Sequence, residues 1–287
     1  MTDTTYRALG AGDEAALEAF LARTPESSMF LRANLAKAGI VDKGAPFQGA
    51  YAGAFQDGRL AGAAALYWNG NLMVQCPPAL AAGLVGETLA AGLPRAATGV
   101  IGPAAQVEAA IRIPPFSLRR ARLAARQDLL GMSLDALAAP ALPGPGFTLD
   151  AATADDLPVL REWRYAYCRE VLSWPEGEPA RRKAAEEIER TVADGDGYVL
   201  RVGGAPVAYA GINARLPEMV QIGGVYVPPA ERDQGYGRLA TAGAMNAAKA
   251  RGARRAILFT GLENAAAKFC YEGLGFRVVG DYAIVLY

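Results

Sequence analysis

The feature that most constrains this chain is that apolar and polar stretches pass through the same cycle twice. In the second half, the short apolar stretch Phe147-Thr148-Leu149 leads to Thr153, with Asp156 three residues on, the form of a helix N-terminus. A helix is predicted from there through about Val171, and a second, charged one over Glu178–Val192. Three strand-like runs follow, Tyr198–Val202, Pro206–Ile212 and Val220–Val227, the first two joined by Gly203-Gly204. A glycine-containing loop opens a helix from about Gly235 to Ala250. Ala256–Thr260 then reads as a strand and Asn264–Leu274 as a helix, with Phe276–Gly280 and Tyr282–Leu286 as two closing strands.

The first half repeats that order. Tyr6–Leu9 is strand-like, Asp13–Ala22 and Met29–Lys37 are helices, and Gly39 stops the latter. Phe47–Phe55 and Leu60–Tyr67 are strands joined by Asp57-Gly58, a hairpin signal. Leu72–Val74, Pro78–Ala91, Thr98–Ile101 and Gln106–Ile111 then alternate strand and helix, and Ser117–Leu137 is ambiguous. The order β-α-α-β-β-β-α-β-α-β is thus expected twice, as a tandem duplication; two unrelated α/β halves are the alternative. Between the copies, Ala138–Gly146 (AAPALPGPG) is uncharged and rich in proline and glycine, which suits an extended linker. The expected domains are therefore residues 1–137 and 147–287, with 138–146 between them.

Composition narrows the chemistry. The 287 residues include no histidine, which excludes Ser-His-Asp and Cys-His nucleophile systems, His-ligated metals and imidazole acids or bases. Balanced charge, 29 basic against 29 acidic residues, argues against a general nucleic-acid binder. Cys76, Cys168 and Cys270 lie far apart and are odd in number, against a disulfide framework or a zinc knuckle, so no metal is expected. The N-terminus is unlike a signal peptide and no apolar run approaches ~18 residues, so a cytoplasmic protein without membrane partners is expected. Abundant alanine and scarce lysine suit a GC-rich bacterial genome and say little about function.

The chemistry is written in two places. The apolar run ending Val225-Tyr226-Val227 is stopped by Pro228-Pro229, neither of which can donate to a ladder. Arg232-Asp233-Gln234-Gly235-Tyr236-Gly237 then turns directly into the helix, with Arg232 and Arg238 adding positive charge at either edge. Free N–H groups at such a helix start face an anion, and glycines let it come close, so the loop reads as a phosphate cradle; a turn that merely permits tight packing would look the same. It is neither a Walker A loop nor a GxGxxG. The second place is Asn264 to Phe276, where Asn264 and Tyr271 share a helix face about two turns apart, a spacing suited to an elongated ligand. A plain N-cap and a core aromatic are the structural alternatives.

Together these motifs resemble the Gcn5-related N-acetyltransferase (GNAT) superfamily. Its (Arg/Gln)-x-x-Gly-x-(Gly/Ala) loop is matched by Arg232, Gly235 and Gly237, and its Asn-x-x-Ala-x-x-x-Tyr-x-x-x-Gly-Phe segment by Asn264, Ala267, Tyr271, Gly275 and Phe276. The resemblance covers about Phe147–Tyr287; for the first half it is topological only. It implies two α/β domains, each a twisted, mixed, mostly antiparallel sheet flanked by helices. Acetyl-CoA is then the implied donor, with pyrophosphate on the amides of Arg232–Arg238 and pantetheine along Val225-Tyr226-Val227. A backbone N–H near Val225 would hold the oxyanion, Asn264 the pantetheine arm or a water, and Tyr271 would protonate the departing thiolate.

The implied reaction is direct attack by an amine of a small molecule or peptide, without an acyl-enzyme. Cys270 points about 100° away from Tyr271 on the helix, against a nucleophilic role. Members of the family often place a Glu on the strand that here carries Gln221, which leaves the base open between Glu218, Glu170 and water. The first half has neither motif: Met73–Gly83 lacks the arginine-glycine pattern and Ile101–Ala110 lacks the Asn and Tyr. A degenerate domain that does not bind acetyl-CoA is expected there. An acyl-CoA-binding sensor or interaction module without turnover is the competing reading, and monomer and homodimer both stay open.

Overall fold

The structure, a computed structural model, describes residues 3–287. The chain forms two compact units, one of residues up to Leu129 together with Val279–Tyr287, the other of Leu130–Val278.

In the first unit the elements run β1 (Thr4–Leu9), α1 (Glu14–Leu21), α2 (Met29–Ala38), β2 (Gly49–Gln56), β3 (Arg59–Tyr67), β4 (Asn71–Gln75), α3 (Ala81–Ala91), β5 (Gly99–Gly102) and α4 (Ala104–Ala110). Strand β6 (Leu123–Ser133) follows, its residues up to Leu129 in this unit. In the second unit come β7 (Phe147–Ala151), α5 (Leu157–Leu172), α6 (Glu178–Ala193), β8 (Gly197–Val202), β9 (Ala205–Arg215), β10 (Met219–Tyr226), α7 (Tyr236–Ala250), β11 (Arg255–Gly261) and α8 (Ala265–Leu274). Strand β12 (Arg277–Leu286) ends the chain. The predicted order thus occurs twice, and Ser117–Leu137 resolves into a 3-10 turn and β6. One strand, not two, closes the chain, because Gly280 keeps ordinary extended backbone and interrupts nothing.

Each unit is a mixed sheet with helices on both faces. In the first, β1 to β4 pair antiparallel, β4 and β5 parallel, and β12 antiparallel to β5 from Ala283↔Gly102 to Leu286↔Gly99. In the second, β7 to β10 pair antiparallel, β10 and β11 parallel, and β6 lies beside β11. The last strand of each repeat therefore completes the sheet of the other. This corrects the expected domain limits: 138–146 is without helix or strand, but it joins β6 to β7 inside the second unit. Proline and glycine mark where a ladder stops, which need not be where a core ends.

In the second unit Leu200, Ile212, Ile222, Leu239, Met245, Leu258, Leu274 and Phe276 form the core under α7 and α8. Leu160, Ile188, Val199 and Tyr209 form a smaller one under α5 and α6. Small residues allow the close packing: a Cβ on Gly243 of α7 would stand 2.0 Å from Leu149 Cδ2. The predicted cap of α5 is present, with the Asp156 carboxylate accepting the Thr153 N–H at 2.9 Å. Among the described residues no helix is long and apolar enough to cross a membrane.

Candidate active site

The site begins where a ladder fails. Strands β10 and β11 pair only at Met219↔Arg255, Val220↔Ala256 and Gln221↔Ile257, although both continue beyond. The cause lies in β10, whose register against β9 shifts between Gln221 and Ile222 and again between Gly223 and Tyr226. Such bulges bend a strand and end its pairing. Two glycines make this one possible. Gly224 has φ +63, and a Cβ on Gly223 would lie 2.0 Å from Asn213 Nδ2. Residues 222–226 of β10 consequently have no register partner on β11, so the two strands enclose a wedge.

Past the wedge, Pro229–Glu231 makes a 3-10 turn, Asp233 and Gly235 take φ of +64 and +76, and α7 starts at Tyr236. The N–H groups of Arg238 and Leu239 donate to Gly235 O at 3.1 and 3.2 Å. Those of Gly235, Tyr236 and Gly237 precede the first helical bond and are free to face an anion. A Cβ on Gly235 would meet nothing within 4 Å, and one on Gly237 would make only ordinary contact with Val227 at 3.5 Å. Packing thus does not require these glycines to lack a side chain, and the open space at Gly235 is of a kind that suits an anion. Gln234 is exposed beside it.

Both loop arginines are engaged within the protein. Arg232 donates from Nε to Val227 O (3.1 Å) and from Nη2 to Glu170 (2.8 Å), which also accepts from the Tyr226 hydroxyl at 3.4 Å. Arg238 reaches α8, donating to Gly273 O at 2.6 Å. The electrostatics of the cradle therefore come chiefly from the helix amides.

Helix α8 supplies the other side. Asn264 caps it, its Oδ1 accepting the Ala267 N–H at 3.1 Å, which leaves the amide NH2 to donate elsewhere. Two turns on, Tyr271 is buried, its ring edge-on to Phe276 with centroids 6.0 Å apart. Burial pushes its hydroxyl well above the ordinary phenol range, and the neighbouring Cys270 and Tyr167 push the same way. Cys270 faces Arg238 instead. Burial raises its thiol to about 11 despite that cation, so it is no thiolate at neutral pH.

Tyr167, on α5, escaped the sequence reading. It is half-buried, it receives the Gly224 N–H on its hydroxyl oxygen, and the Arg164 guanidinium lies 5.3 Å from its ring centroid. It thereby joins α5, the bulge and the neighbourhood of Tyr271. Arg164 in turn holds Glu187 of α6 at 2.8 Å. The Gly224 N–H is taken by Tyr167.

Of the carboxylates expected near the amine, Glu170 is exposed and paired with Arg232. Glu218 lies at the closed end of the ladder, its backbone oxygen accepting from Arg254 and Arg255 at 2.9 and 3.1 Å. At ~3.3 Å per residue it stands roughly 20 Å along the strand from Val225, out of reach as a base. The first unit has its own version of the site. The β4–β5 ladder is again only three pairs long, but Cys76 N–H donates to Gln106 Oε1 of α4 at 2.8 Å. Its Pro77-Pro78 pair leads through one 3-10 turn straight into α3.

Comparison with known proteins bears on the second unit. Residues 158–276 match the profile of the acetyltransferase (GNAT) family. Similar structures include a Drosophila protein (TM-score 0.65, 14% identity, 99% of both chains). A GCN5-related N-acetyltransferase from Sphaerobacter thermophilus is also similar (0.60, 16%, 98% of this chain and 94% of that one). So is a tandem GNAT protein from the clavulanic acid biosynthesis pathway (0.54, 17%, 99% and 98%). At these identities the likeness is one of fold. No curated protein sequence matches the chain.

Proposed function

We propose that the second unit, whose residues 158–276 match the profile of the acetyltransferase (GNAT) family, transfers the acetyl group of acetyl-CoA to a primary amine by direct attack. One observation carries the reading: the wedge between β10 and β11 has a helix-start anion cradle at its mouth and a protonated phenol on α8. Open space over Gly235, with no more than ordinary contact to Val227 beside Gly237, supports this reading.

The amides of Gly235, Tyr236 and Gly237 bind the pyrophosphate. The free edge of β10, Val225 to Val227, pairs with the pantetheine arm, and the Val225 N–H holds the oxyanion that develops on the acyl oxygen. The Asn264 amide NH2 donates to the same arm. Arg232, clamped to Glu170 and Val227 O, fixes the loop rather than neutralising phosphate. The co-substrate supplies an activated thioester carbonyl. Tyr271 gives its proton to the leaving sulfur, a task for which a raised phenol is suited: it is neutral at every working pH and meets a base only as the C–S bond breaks.

A second reading, an acyl-CoA-binding sensor without turnover, draws on the carboxylates: Glu170 is tied to Arg232 and the strand position carries Gln221. CoA release against a panel of primary amines separates the two. Saturable turnover that falls ~100-fold or more in Tyr271→Phe, with acetyl-CoA affinity unchanged, is expected for the enzyme. Its kcat should hold on the alkaline side to about pH 10, because the raised Tyr271 hydroxyl keeps its proton past the ordinary phenol value. Binding without turnover across the panel identifies the sensor.

A further inference from the structure

Gln221 is the last residue of β10 to pair with β11, so the residue stands at the vertex of the wedge, its side chain leaving from one face of the sheet. It is 3% exposed. Its Nε2 donates to Ile222 O at 2.6 Å, which fixes the orientation of the amide, while its Oε1 is buried and finds no donor among the described residues. Buried carbonyl oxygens are nearly always satisfied, and an orphan beside a reaction centre implies a donor that arrives with the ligand. Gly223, next but one along the strand, carries no side chain of its own, and the Asn213 amide occupies the place where its Cβ would stand, 2.0 Å from Asn213 Nδ2.

We infer that Gln221 Oε1 accepts an N–H of the attacking amine and so aims its lone pair at the thioester carbon; this rests on the acetyl-transfer reading above. A carboxamide orients an amine and cannot deprotonate it. The charged and titratable groups on the elements packed around the bulge do not take that proton either. Arg164 and Glu187 hold each other, as do Arg232 and Glu170, and burial keeps Tyr167, Tyr209, Tyr226 and Tyr271 protonated. Amine therefore enters neutral, having left a proton in solvent. Its nitrogen forms the C–N bond, the C–S bond breaks, the sulfur takes the Tyr271 proton, and the nitrogen releases its second proton to water, from which Tyr271 is restored.

The consequence is a pH profile that belongs to the acceptor. In the wild-type protein kcat/KM should rise tenfold per pH unit up to the pKa of the amine itself. The midpoint should move between the two turned-over amines of the panel that differ most in basicity. Gln221→Met, similar in shape but without the acceptor, should raise the amine KM about tenfold with acetyl-CoA affinity unchanged, and lower the melting temperature only by what the lost bond to Ile222 O costs. Gln221→Glu should restore orientation and add a base, lifting kcat/KM about tenfold or more at pH 6.5 and flattening the slope. A wild-type midpoint that ignores amine basicity overturns the inference, whether or not either variant folds. An unchanged amine KM in a folded Gln221→Met overturns it as well. Absence of CoA release from wild-type protein with every amine overturns the transfer reading itself, and this inference with it.

Discussion

Helices α4 and α8 begin in the same place, just after the strand that pairs in parallel with its neighbour for three residues, and they do opposite things with the gap beyond. In α8 the cap is Asn264, the third residue Ala267 and the seventh Tyr271. In α4 the same positions hold Pro103, Gln106 and Ala110. Gln106 reaches across the gap to the Cys76 N–H, which stands at the Pro-Pro corner as Val227 does in the second unit. Where the second unit inserts Arg232–Gly235 between its 3-10 turn and α7, the first inserts nothing. The two units share the wedge as architecture. The difference lies in what crosses it: one bridges the gap with its own amide, and the other leaves β10 beyond Gln221 without a partner on β11.

The comparison can be broken in several ways. The largest effect is expected from residues 147–287 expressed alone. They lack β6, which lies beside β11, and carry β12, whose partner is β5, so no cooperative thermal transition should appear by circular dichroism. In the full chain, Gly235→Glu sets a carboxylate against the cradle. Calorimetry should then show acetyl-CoA binding falling from one site to none, with affinity down ~100-fold or more. A surviving site would locate binding in the first unit and overturn the contrast. Gln106→Leu removes the acceptor of the Cys76 N–H and should cost ~1–3 kcal/mol in denaturant unfolding, with acetyl-CoA stoichiometry still one. A second binding site in that variant would show that Gln106 alone had closed the gap. The smallest effect belongs to Asn264→Ala, which loses the cap of α8 and about 1 kcal/mol, a loss α4 cannot suffer because Pro103 offers no side-chain cap.

What the sequence made legible was local. The Thr153–Asp156 cap, the Asp57-Gly58 hairpin and the Pro-Pro stop before the cradle each depend on neighbours a few residues away, and each stands where expected. The spacing of Asn264 and Tyr271 placed both on one helix. Pairing over long separations was not legible. β6 and β12 both follow a helix with similar apolar character, and either could close either sheet, so their exchange left no trace in composition. Tyr167 was passed over because a tyrosine inside a helix announces nothing; its meaning comes from the Gly224 N–H on a distant strand. Glu218 was favoured by nearness to the strand, but the pattern of residues did not reveal which end of that strand opens.

The exchange of final strands also sets a schedule. A chain is made from its N-terminus, and at ~5–20 residues per second the ribosome needs on the order of ten seconds or more to travel from β5 to β12. Throughout that interval β5, ending at Gly102, awaits a partner that begins at Arg277. The second unit has β6, the neighbour of β11, in hand long before its own helices emerge. The half expected to carry the chemistry is thus ready to close first, and the half that comes earlier in the chain finishes later, once β12 has emerged.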